Sequence, residues 1–326
     1  MSVDRKNRIF ATSSEFGKHS RDIIDAFLRP LGMVLDRHTY PGPMTEAELL
    51  SLAQGYRAII VYTSTDALNA RVVEGLGDLE IIARHGIGYD NIDVQAASRR
   101  GIYVTTTHEG AFEERAVSDL AMALVLALAR QIVALSRGTR VGKWERPLAH
   151  DLYGSTLGIV GVGRIGKLTA LKARAFGMRL LGFDPAEDRE FARKSGLAYV
   201  PLDTLLEESD FVTLHCPLSS TTRHLIGHRE LGLMKPTAYL INCARGAVVD
   251  EDALYQSLAG GRLAGAGLDV FAKEPPVGSP LLELDNVVLT PHVGAYTPAT
   301  MTGMDMLVVK ACADVLSGKR PANLIN

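Results

Sequence analysis

The stretch Leu157–Gly177, which reads LGIVGVGRIGKLTALKARAFG, decides the fold of this chain. It begins as an apolar strand pattern, turns through three spaced glycines, and continues as an Ala- and Leu-rich helical pattern. Gly161 permits a tight turn, Gly163 lets a phosphate approach the backbone, and Gly166 lets the helix pack close to the strand. A strand, a glycine-rich turn and a helix in this order predict a dinucleotide-binding βαβ unit.

The start of the helix and the acid after the next strand extend this prediction. The N–H groups of Arg164 and Ile165 would meet the phosphates at the helix N-terminus, where the helix dipole favours negative charge. Asp184 follows the strand pattern Leu180–Phe183, at the ~20-residue offset where an acid accepts the adenosine ribose hydroxyls. A carboxylate there would repel a 2′-phosphate, so we expect NAD rather than NADP. The plainer alternatives are a glycine pattern that only shapes a turn and an Asp that only precedes Pro185.

Short β-branched runs alternate with longer helical patterns along most of the chain, which is typical of α/β proteins with parallel sheets. The first third predicts five strands: Arg8–Thr12, Val34–Tyr40, Ala58–Tyr62, Ile81–Arg84 and Ile102–Thr105. A helix from about Ala116 to Gly138 separates them from six more: Thr156–Val160, Arg179–Phe183, Phe211–His215, Ala238–Asn242, Ala264–Leu268 and Val287–Thr290. We therefore expect two parallel sheets, with the break between them near Thr105–Gly110.

A few helix boundaries carry signals of their own. Asp93 is typical of an N-cap, and Gly101 is typical of a C-terminal stop. The tail Met301–Leu316 is helical in pattern. Chain termini often lie close together, so we expect this tail to return to the first domain.

The composition is that of a globular protein: of 326 residues, 47% are hydrophobic and 22% charged, and the formal net charge is -2. A chain with this charge balance has no excess of basic residues to attract a polyanion, so we expect no nucleic-acid partner. The longest apolar run, Leu120–Ala129, is roughly half the ~20 residues that a membrane span needs, and we expect a buried helix there.

The N-terminus lacks the apolar stretch of a secretory signal. The three cysteines, Cys216, Cys243 and Cys312, are an odd number without metal-type spacing, so they predict neither a disulfide framework nor a zinc site. These features favour a cytoplasmic protein that has no membrane partner and binds no metal.

Arg245, Glu274 and His292 each come shortly after a strand pattern of the second sheet. Ligands bind beyond the carboxyl ends of strands in open α/β sheets, so these residues are expected to face one crevice. An arginine, an acid and a histidine are the groups that interconversion of 2-hydroxy and 2-keto acids requires.

Hydride arrival at a keto carbon leaves an alkoxide that needs a proton donor, and His292 is the candidate general acid/base. Glu274 beside the imidazole would fix its tautomer and stabilise the imidazolium. Arg245 would bind a substrate carboxylate through two hydrogen bonds and polarise the adjacent carbonyl. The plainer alternatives are a structural histidine, a solvated loop acid and an arginine at a helix C-terminus.

With these residues in place, the chain resembles the D-isomer-specific 2-hydroxyacid dehydrogenase family over essentially its whole length. The family includes D-3-phosphoglycerate dehydrogenase and glyoxylate/hydroxypyruvate reductase. The resemblance depends on an ordered set of motifs: Gly86–Asp93, Leu157–Gly166, His215–Leu218, Asn242–Gly246, Asp269–Phe271 with Glu274–Pro275, and Pro291–Gly294.

The resemblance implies that Arg245, Glu274 and His292 are the catalytic residues. It also implies that the backbone N–H groups of Ile87 and Gly88 bind the substrate carboxylate, with Arg245 and His292 also contacting the substrate. In addition to the glycine loop and Asp184, it implies an NAD site lined by Cys216, Cys243, Arg245, Asp269, His292 and Gly294, with Asp269 near the carboxamide.

The family fold is a Rossmann-like NAD-binding domain inserted into a smaller flavodoxin-like substrate domain, with the active site between them. The resemblance places the NAD-binding domain at residues 109–296 and the substrate domain at residues 1–108 and 297–326. The helix after Glu113 usually forms much of a dimer interface in this family, so the resemblance also implies a homodimer.

The chain departs from the family pattern near the expected substrate site. Phosphoglycerate dehydrogenases typically carry an Arg-Ser pair after the third strand, and this chain has Tyr62-Thr63 there, so a cation for a substrate phosphate is missing. Where the family often has Asn-Ala, this chain has Glu113-Glu114. Tyr296, just past the catalytic histidine, is also expected to shape the pocket.

These observations predict reversible NADH-linked reduction of a small 2-keto acid to the D-2-hydroxy acid. One alternative is a non-catalytic NAD(H)-sensing transcriptional co-regulator of the same family, which would keep the same residues and turn over no keto acid. Another is an S-adenosylmethionine-dependent methyltransferase that uses the glycine loop, which would leave Arg245, Glu274 and His292 unexplained.

Overall fold

A computed structural model of the chain describes residues 6–39, 42–108 and 112–326. The chain divides into two compact units, with unit 1 formed by Met1–Glu113 and Ala295–Asn326 and unit 2 by Glu114–Gly294. Unit 2 is thus inserted into unit 1. The sequence predicted domain boundaries after residues 108 and 296. Residues 109–111, beside the first of these boundaries, lie outside the described residues.

The sheet of unit 1 has five parallel strands among the described residues, in the order β2-β1-β3-β4-β5. They are β1 (Arg8–Ala11), β2 (Val34–Arg37), β3 (Ala58–Val61), β4 (Ile81–Arg84) and β5 (Tyr103–Thr105). This is the flavodoxin-like strand order. The second strand ends at Arg37 because its only neighbour, β1, ends at Ala11, which pairs with Arg37. Tyr40, the predicted end of this strand, lies outside the described residues.

Helices cover both faces of this sheet. They are α1 (Arg21–Leu28), α2 (Glu46–Leu52), α3 (Ala70–Gly75), α4 (Val94–Arg99) and, from the tail, α12 (Pro298–Leu316). α1 and α12 pack on one face, so the tail returns to the first sheet as predicted. The Asp93 side chain accepts the Ala96 N–H at 2.8 Å, which confirms the predicted cap of α4.

The sheet of unit 2 has seven parallel strands, in the order β12-β11-β10-β9-β6-β7-β8. They are β6 (Thr156–Val160), β7 (Arg179–Phe183), β8 (Ala198–Tyr199), β9 (Phe211–Leu214), β10 (Tyr239–Asn242), β11 (Gly265–Leu268) and β12 (Val287–Leu289). The strand order reverses direction between β6 and β9, which makes a ligand crevice at their carboxyl ends. The predicted α/β class, with a Rossmann-like sheet and a flavodoxin-like sheet, is confirmed.

Unit 2 contains most of the first of its helices and all of the others. They are α5 (Phe112–Ala129), α6 (Ile132–Arg140), α7 (Arg164–Ala175), α8 (Arg189–Ser195), α9 (Leu202–Glu208), α10 (His228–Leu233) and α11 (Glu251–Ala259). α5 packs closely on the sheet, since a Cβ at Gly267 of β11 would lie 3.0 Å from Leu124. Most of the predicted buried run Leu120–Ala129 is buried in this way.

The prediction of one continuous helix from Ala116 to Gly138 is wrong. The chain bends by 60° between α5 and α6. Gln131 there adopts the left-handed conformation with φ 53°, and its side chain donates to the Leu148 carbonyl at 3.0 Å. Among the described residues no single helix is long and apolar enough to cross a membrane. Only α5 and α6 taken together, a pair with a bend between them, have the length and apolar composition of a span.

Candidate active site

The glycine loop after β6 has the geometry that its spacing predicts. Gly161 has φ 91°, and a Cβ there would lie 2.6 Å from the backbone nitrogen of Cys216. A Cβ at Gly166 would lie 2.1 Å from the Gly161 carbonyl oxygen, so only glycine lets α7 start this close to the strand. A Cβ at Gly163 would meet nothing within 4 Å, so this side of the loop is open.

Asp184 lies directly beside this loop, at the end of β7. Its Oδ2 accepts the Val162 N–H at 2.8 Å, and its Oδ1 accepts the Ala186 N–H at 2.8 Å. Arg164 and Ile165 form the first turn of α7, whose N–H groups have no acceptor within the helix. The open backbone at Gly163, these N–H groups and the neighbouring carboxylate together fit a dinucleotide.

His292 and Glu274 are joined by a hydrogen bond. The distance between His292 Nδ1 and Glu274 Oε2 is 2.7 Å, and the Phe271 N–H donates to Glu274 Oε1 at 3.1 Å. Burial by itself raises the pKa of Glu274, but the hydrogen bond from His292, helped by the charge of Arg245, brings it below its ordinary value. With Nδ1 held by the carboxylate, Nε2 is the ring atom left to exchange a proton.

Arg245 follows β10 and is held close to the same carboxylate. The Asn242 side chain donates to the Arg245 carbonyl at 3.0 Å and accepts the Ala244 N–H at 3.0 Å, which fixes the turn. A Cβ at Gly246 would lie 1.9 Å from the carbonyl carbon of Phe271, so glycine brings this turn against the segment that leads to Glu274. The structure thus brings Arg245, Glu274 and His292 together at the carboxyl edge of one sheet.

Asp269 has a supporting role that the sequence analysis missed. Its Oδ1 accepts the Thr290 hydroxyl at 2.6 Å and the Val293 N–H at 2.8 Å, and its Oδ2 accepts the Gly294 N–H at 2.9 Å. Its carbonyl accepts the His292 N–H at 2.8 Å. Asp269 therefore anchors the turn in which His292 takes a left-handed backbone with φ 53°. The placement of an acid directly after β11 signals a functional position, but it does not show that the His292 turn is its partner.

The remaining residues predicted for the cofactor site lie in two places. Cys216 is next to the glycine loop, and burial with the nearby Asp184 charge raises its pKa to about 11. Cys243 is next to Asp269, and burial raises its pKa as well. Both thiols are therefore neutral at physiological pH. His215, also beside the glycine loop, is partly buried, and desolvation of its ring lowers the pKa to about 3. The sequence predicted no role for His215.

Ile87 and Gly88 belong to unit 1 and lie in the loop after β4. Arg84, which is 6% exposed, donates from Nε to the Gly88 carbonyl at 2.9 Å and also to the His85 carbonyl. These two loop carbonyls therefore accept hydrogen bonds from a buried guanidinium. The Ile87 N–H donates to Glu113 Oε1 at 3.2 Å.

Tyr62 follows β3 and forms an aromatic wall with Tyr296. Their hydroxyl oxygens are 3.1 Å apart. The Tyr62 ring lies 5.0 Å from the ring of the buried His85. Burial raises the pKa of Tyr62, so its hydroxyl is uncharged.

Glu114, the second acid of the departing pair, belongs to unit 2. It is 1% exposed, and its Oε1 lies 3.3 Å from Arg164 Nε. The two adjacent glutamates therefore have partners in different units. Within the part of the chain that the structure describes, no group of three or more His, Cys, Asp or Glu side chains is arranged to hold a metal.

The chain matches the family model described as "D-isomer specific 2-hydroxyacid dehydrogenase, NAD binding domain" over residues 122–294. It is 47% identical over 274 residues to glyoxylate reductase from Korarchaeum cryptofilum, covering 82% of each protein. It is 40% identical over 286 residues to D-3-phosphoglycerate dehydrogenase from Methanocaldococcus jannaschii, covering 87% of this chain and 54% of that protein.

A solved structure is also similar over the whole chain. The crystal structure of D-lactate dehydrogenase from Aquifex aeolicus, complexed with NAD and lactic acid, superposes with a TM-score of 0.85 at 30% identity. The match covers 98% of this chain and 99% of that one.

Proposed function

The chain belongs to the D-isomer-specific 2-hydroxyacid dehydrogenase family, and from this premise we propose that it reduces a small, unphosphorylated 2-keto acid such as glyoxylate. The reaction of the family is NAD-dependent oxidoreduction at the CH–OH carbon of a 2-hydroxy acid, and this chain is such an enzyme. Bound NADH supplies the hydride. The protein must bind the acid, polarise its carbonyl and deliver a proton.

The hydrogen bond between His292 and Glu274, with Arg245 beside it, is the observation that carries this function. Protonated His292 donates from Nε2 to the oxygen that becomes the hydroxyl, while Glu274 stabilises the imidazolium before transfer. The Arg245 guanidinium binds the substrate carboxylate and stabilises charge on the carbonyl oxygen. The N–H groups of Ile87 and Gly88 also bind the carboxylate in this proposal.

For the cofactor, we propose that NAD is bound by the set in unit 2 made up of Gly161, Gly163, Arg164, Ile165, Gly166, Asp184, Cys216, Cys243, Arg245, Asp269, His292 and Gly294. The open backbone at Gly163 supports the pyrophosphate placement. The carboxylate of Asp184 beside the glycine loop supports the ribose placement.

The aromatic wall of Tyr62 and Tyr296, which contains no cationic side chain, supports an unphosphorylated substrate. A substrate phosphate needs cationic partners, and Tyr62 is the residue that stands where phosphoglycerate dehydrogenases carry an arginine. Two phenol hydroxyls instead suit a short side chain or one with a hydroxyl group.

Rates of NADH oxidation with a panel of 2-keto acids test the proposal. The panel is glyoxylate, hydroxypyruvate, phosphohydroxypyruvate and 2-ketogluconate. We expect the highest kcat/KM with glyoxylate or hydroxypyruvate, and a preference for phosphohydroxypyruvate would contradict the substrate assignment. Absence of turnover with every acid, while NADH still binds, would favour the NAD(H)-sensing co-regulator.

We also propose that the protein is a cytoplasmic homodimer, with no nucleic-acid or membrane partner. The exposed apolar side chains Val141, Trp144, Leu148 and Tyr153 are 74%, 76%, 96% and 84% exposed and lie in one short segment of unit 2. An apolar surface of this kind is typical of a protein contact. The free cysteines 216, 243 and 312 are all buried, which suits a reducing compartment.

A further inference from the structure

One of the two N–H groups proposed to bind the substrate carboxylate already binds a carboxylate of this chain. Glu113 Oε1 accepts the Ile87 N–H at 3.2 Å, and Glu113 Oε2 accepts the Thr107 hydroxyl. Glu113 is only 6% exposed, so its carboxyl group is bound by protein groups, these two donors among them, more than by water. Within this chain, the Ile87 N–H therefore already has a carboxyl oxygen as its acceptor.

The loop is built to present its N–H groups. Arg84 holds the Gly88 and His85 carbonyls on the inside. Gly86 takes φ 141°, and a Cβ there would lie 3.1 Å from the Arg84 guanidinium, so the backbone at Gly86 packs closely against this side chain. The N–H of Gly88 has no acceptor from the described part of the chain, whereas that of Ile87 has Glu113.

We propose that Glu113 is an internal occupant of the substrate-carboxylate site, and that a keto acid binds by displacing it from the Ile87 N–H. This inference rests on the proposed function, in which that N–H anchors the substrate. A single N–H cannot make a full hydrogen bond to two carboxylates at once. The substrate therefore gains one charge-assisted hydrogen bond while the chain loses another.

Such an exchange determines substrate affinity and leaves the chemical step alone. Once Glu113 has moved, proton delivery still depends on His292 and polarisation still depends on Arg245. The cost of displacement is the same for every acid that uses this N–H, so Glu113 should raise KM by one common factor across the panel. A change that acts on KM without kcat is the mark of uniform binding.

Two substitutions at this position separate displacement from simple charge repulsion. Glu113→Gln keeps the length and replaces a charge-assisted hydrogen bond with a neutral one, which is about half as strong. Glu113→Asp keeps the charge, but its shorter side chain cannot reach Ile87 from the same backbone. We expect each variant to lower KM for every active keto acid, by roughly fivefold to tenfold, with kcat and the Kd of NADH little changed.

Glu80→Gln is the matched control, since it removes the same charge from unit 1. Glu80 pairs with Arg57 at 2.7 Å at the opposite end of β4, and its substitution should leave KM unchanged. Unchanged or higher KM in both Glu113 variants would overturn the proposal. A lower KM in Glu113→Gln alone would also overturn it, because repulsion without occupancy would then suffice.

Calorimetric titration of the NADH-loaded protein with oxamate, an unreactive analogue of a 2-keto acid, keeps this test separate from the proposed function. If wild-type protein turns over no keto acid, the proposed function fails whatever Glu113 does. If turnover is normal and oxamate binds the wild type and both Glu113 variants equally, only the occupancy of the carboxylate site fails. We expect the Kd of oxamate to fall by the same factor as KM.

Discussion

The proton donor is the first residue at which the proposed chemistry can be tested. His292→Asn removes the donor, and Asn tolerates the left-handed backbone that His292 adopts at φ 53°. We expect kcat to fall by roughly 10²–10⁴ while the Kd of NADH changes little. The control is His224→Asn, because His224 has φ 52° and is exposed. Full activity in the His292 variant would remove the mechanism.

Glu274 links the active site to acid stability. Its pKa in the folded protein is below the ordinary value, because the hydrogen bond and charge of His292, the Phe271 N–H and the Arg245 charge together outweigh burial. Its stabilising contribution is therefore complete above the unfolded pKa of about 4.3 and is lost as pH falls through the lower folded value. The Tm difference between wild type and Glu274→Gln should be largest near neutral pH and shrink in acid.

Glu251 provides a control of opposite sign. Burial raises its pKa in the folded protein, so its charge becomes unfavourable as pH rises through the carboxylate range. Glu251→Gln should therefore gain Tm relative to wild type as pH rises. A Tm difference for Glu274→Gln that grows in acid would contradict the assigned direction of its pKa.

The cofactor preference depends on one carboxylate. We expect a higher kcat/KM with NADH than with NADPH, because Asp184 would repel a 2′-phosphate and lose its ribose hydrogen bonds. Asp184→Ser should narrow this gap. Asp184→Asn is the companion variant, since its amide oxygen can still accept the Val162 N–H that Asp184 binds at 2.8 Å. A wild-type preference for NADPH would show that the acid is misplaced.

The candidate site was predictable where one residue type is required by local chemistry. Gly161, Gly166 and the acid after β7 are tied to a strand, a turn and a helix that are adjacent in sequence. The bond between Glu113 and Ile87 joins residues 26 positions apart. Such a contact depends on packing, so the sequence showed only an unusual acid. Asp269 was predicted as a cofactor residue, whereas its hydrogen bonds to the His292 turn needed coordinates.

At the scale of elements, two glycines of the same loop should differ in their effects: substitution of one should weaken NADH binding alone, and substitution of the other should also lower stability. Gly163→Ala places its Cβ where nothing lies within 4 Å, so Tm should hold while the Kd of NADH rises through loss of close phosphate approach. Gly166→Ala would place its Cβ 2.1 Å from the Gly161 oxygen, so Tm should fall as well. Thermal denaturation and NADH titration of both variants check this pair.

A glycine elsewhere in unit 2 controls for the substitution itself. Gly232 lies inside α10, and a Cβ there meets nothing within 4 Å. Gly232→Ala should raise stability slightly, by about 0.5–1 kcal/mol, because alanine is the better helix former. Equal Tm losses in Gly163→Ala and Gly166→Ala would show that the open side of the loop is not available to a phosphate.

Elements were predictable from periodicity, with failures where periodicity carries no information. β8 has two residues, Ala198–Tyr199, too few to show alternation, and it was missed. The apolar pattern continues with a helical period across Gln131, so the 60° bend between α5 and α6 was invisible. A left-handed residue that is not Gly or Asn gives no sequence signal of its own.

At the scale of the whole molecule, the sequence favoured a homodimer for a reason that the structure changes. The resemblance implied a dimer interface on the helix after Glu113, which contains the apolar run Leu120–Ala129. Most of it is buried against the sheet of unit 2 within one chain. Four strongly exposed apolar side chains, Val141, Trp144, Leu148 and Tyr153, instead lie together in the segment 141–153 that follows α6. The dimer prediction therefore belongs to that segment.

We expect light scattering at micromolar concentration to give twice the chain mass of 35.2 kDa. Leu148→Lys places a charge on a side chain that is 96% exposed, so the folded chain should tolerate it while a partner contact should not. The control is Val277→Lys, because Val277 is 79% exposed and lies far along the chain from residues 141–153. A dimer in the control and a monomer in the Leu148 variant would place the contact in this segment. A monomeric wild type would refute the dimer, and a dimeric Leu148 variant would move the contact to another surface.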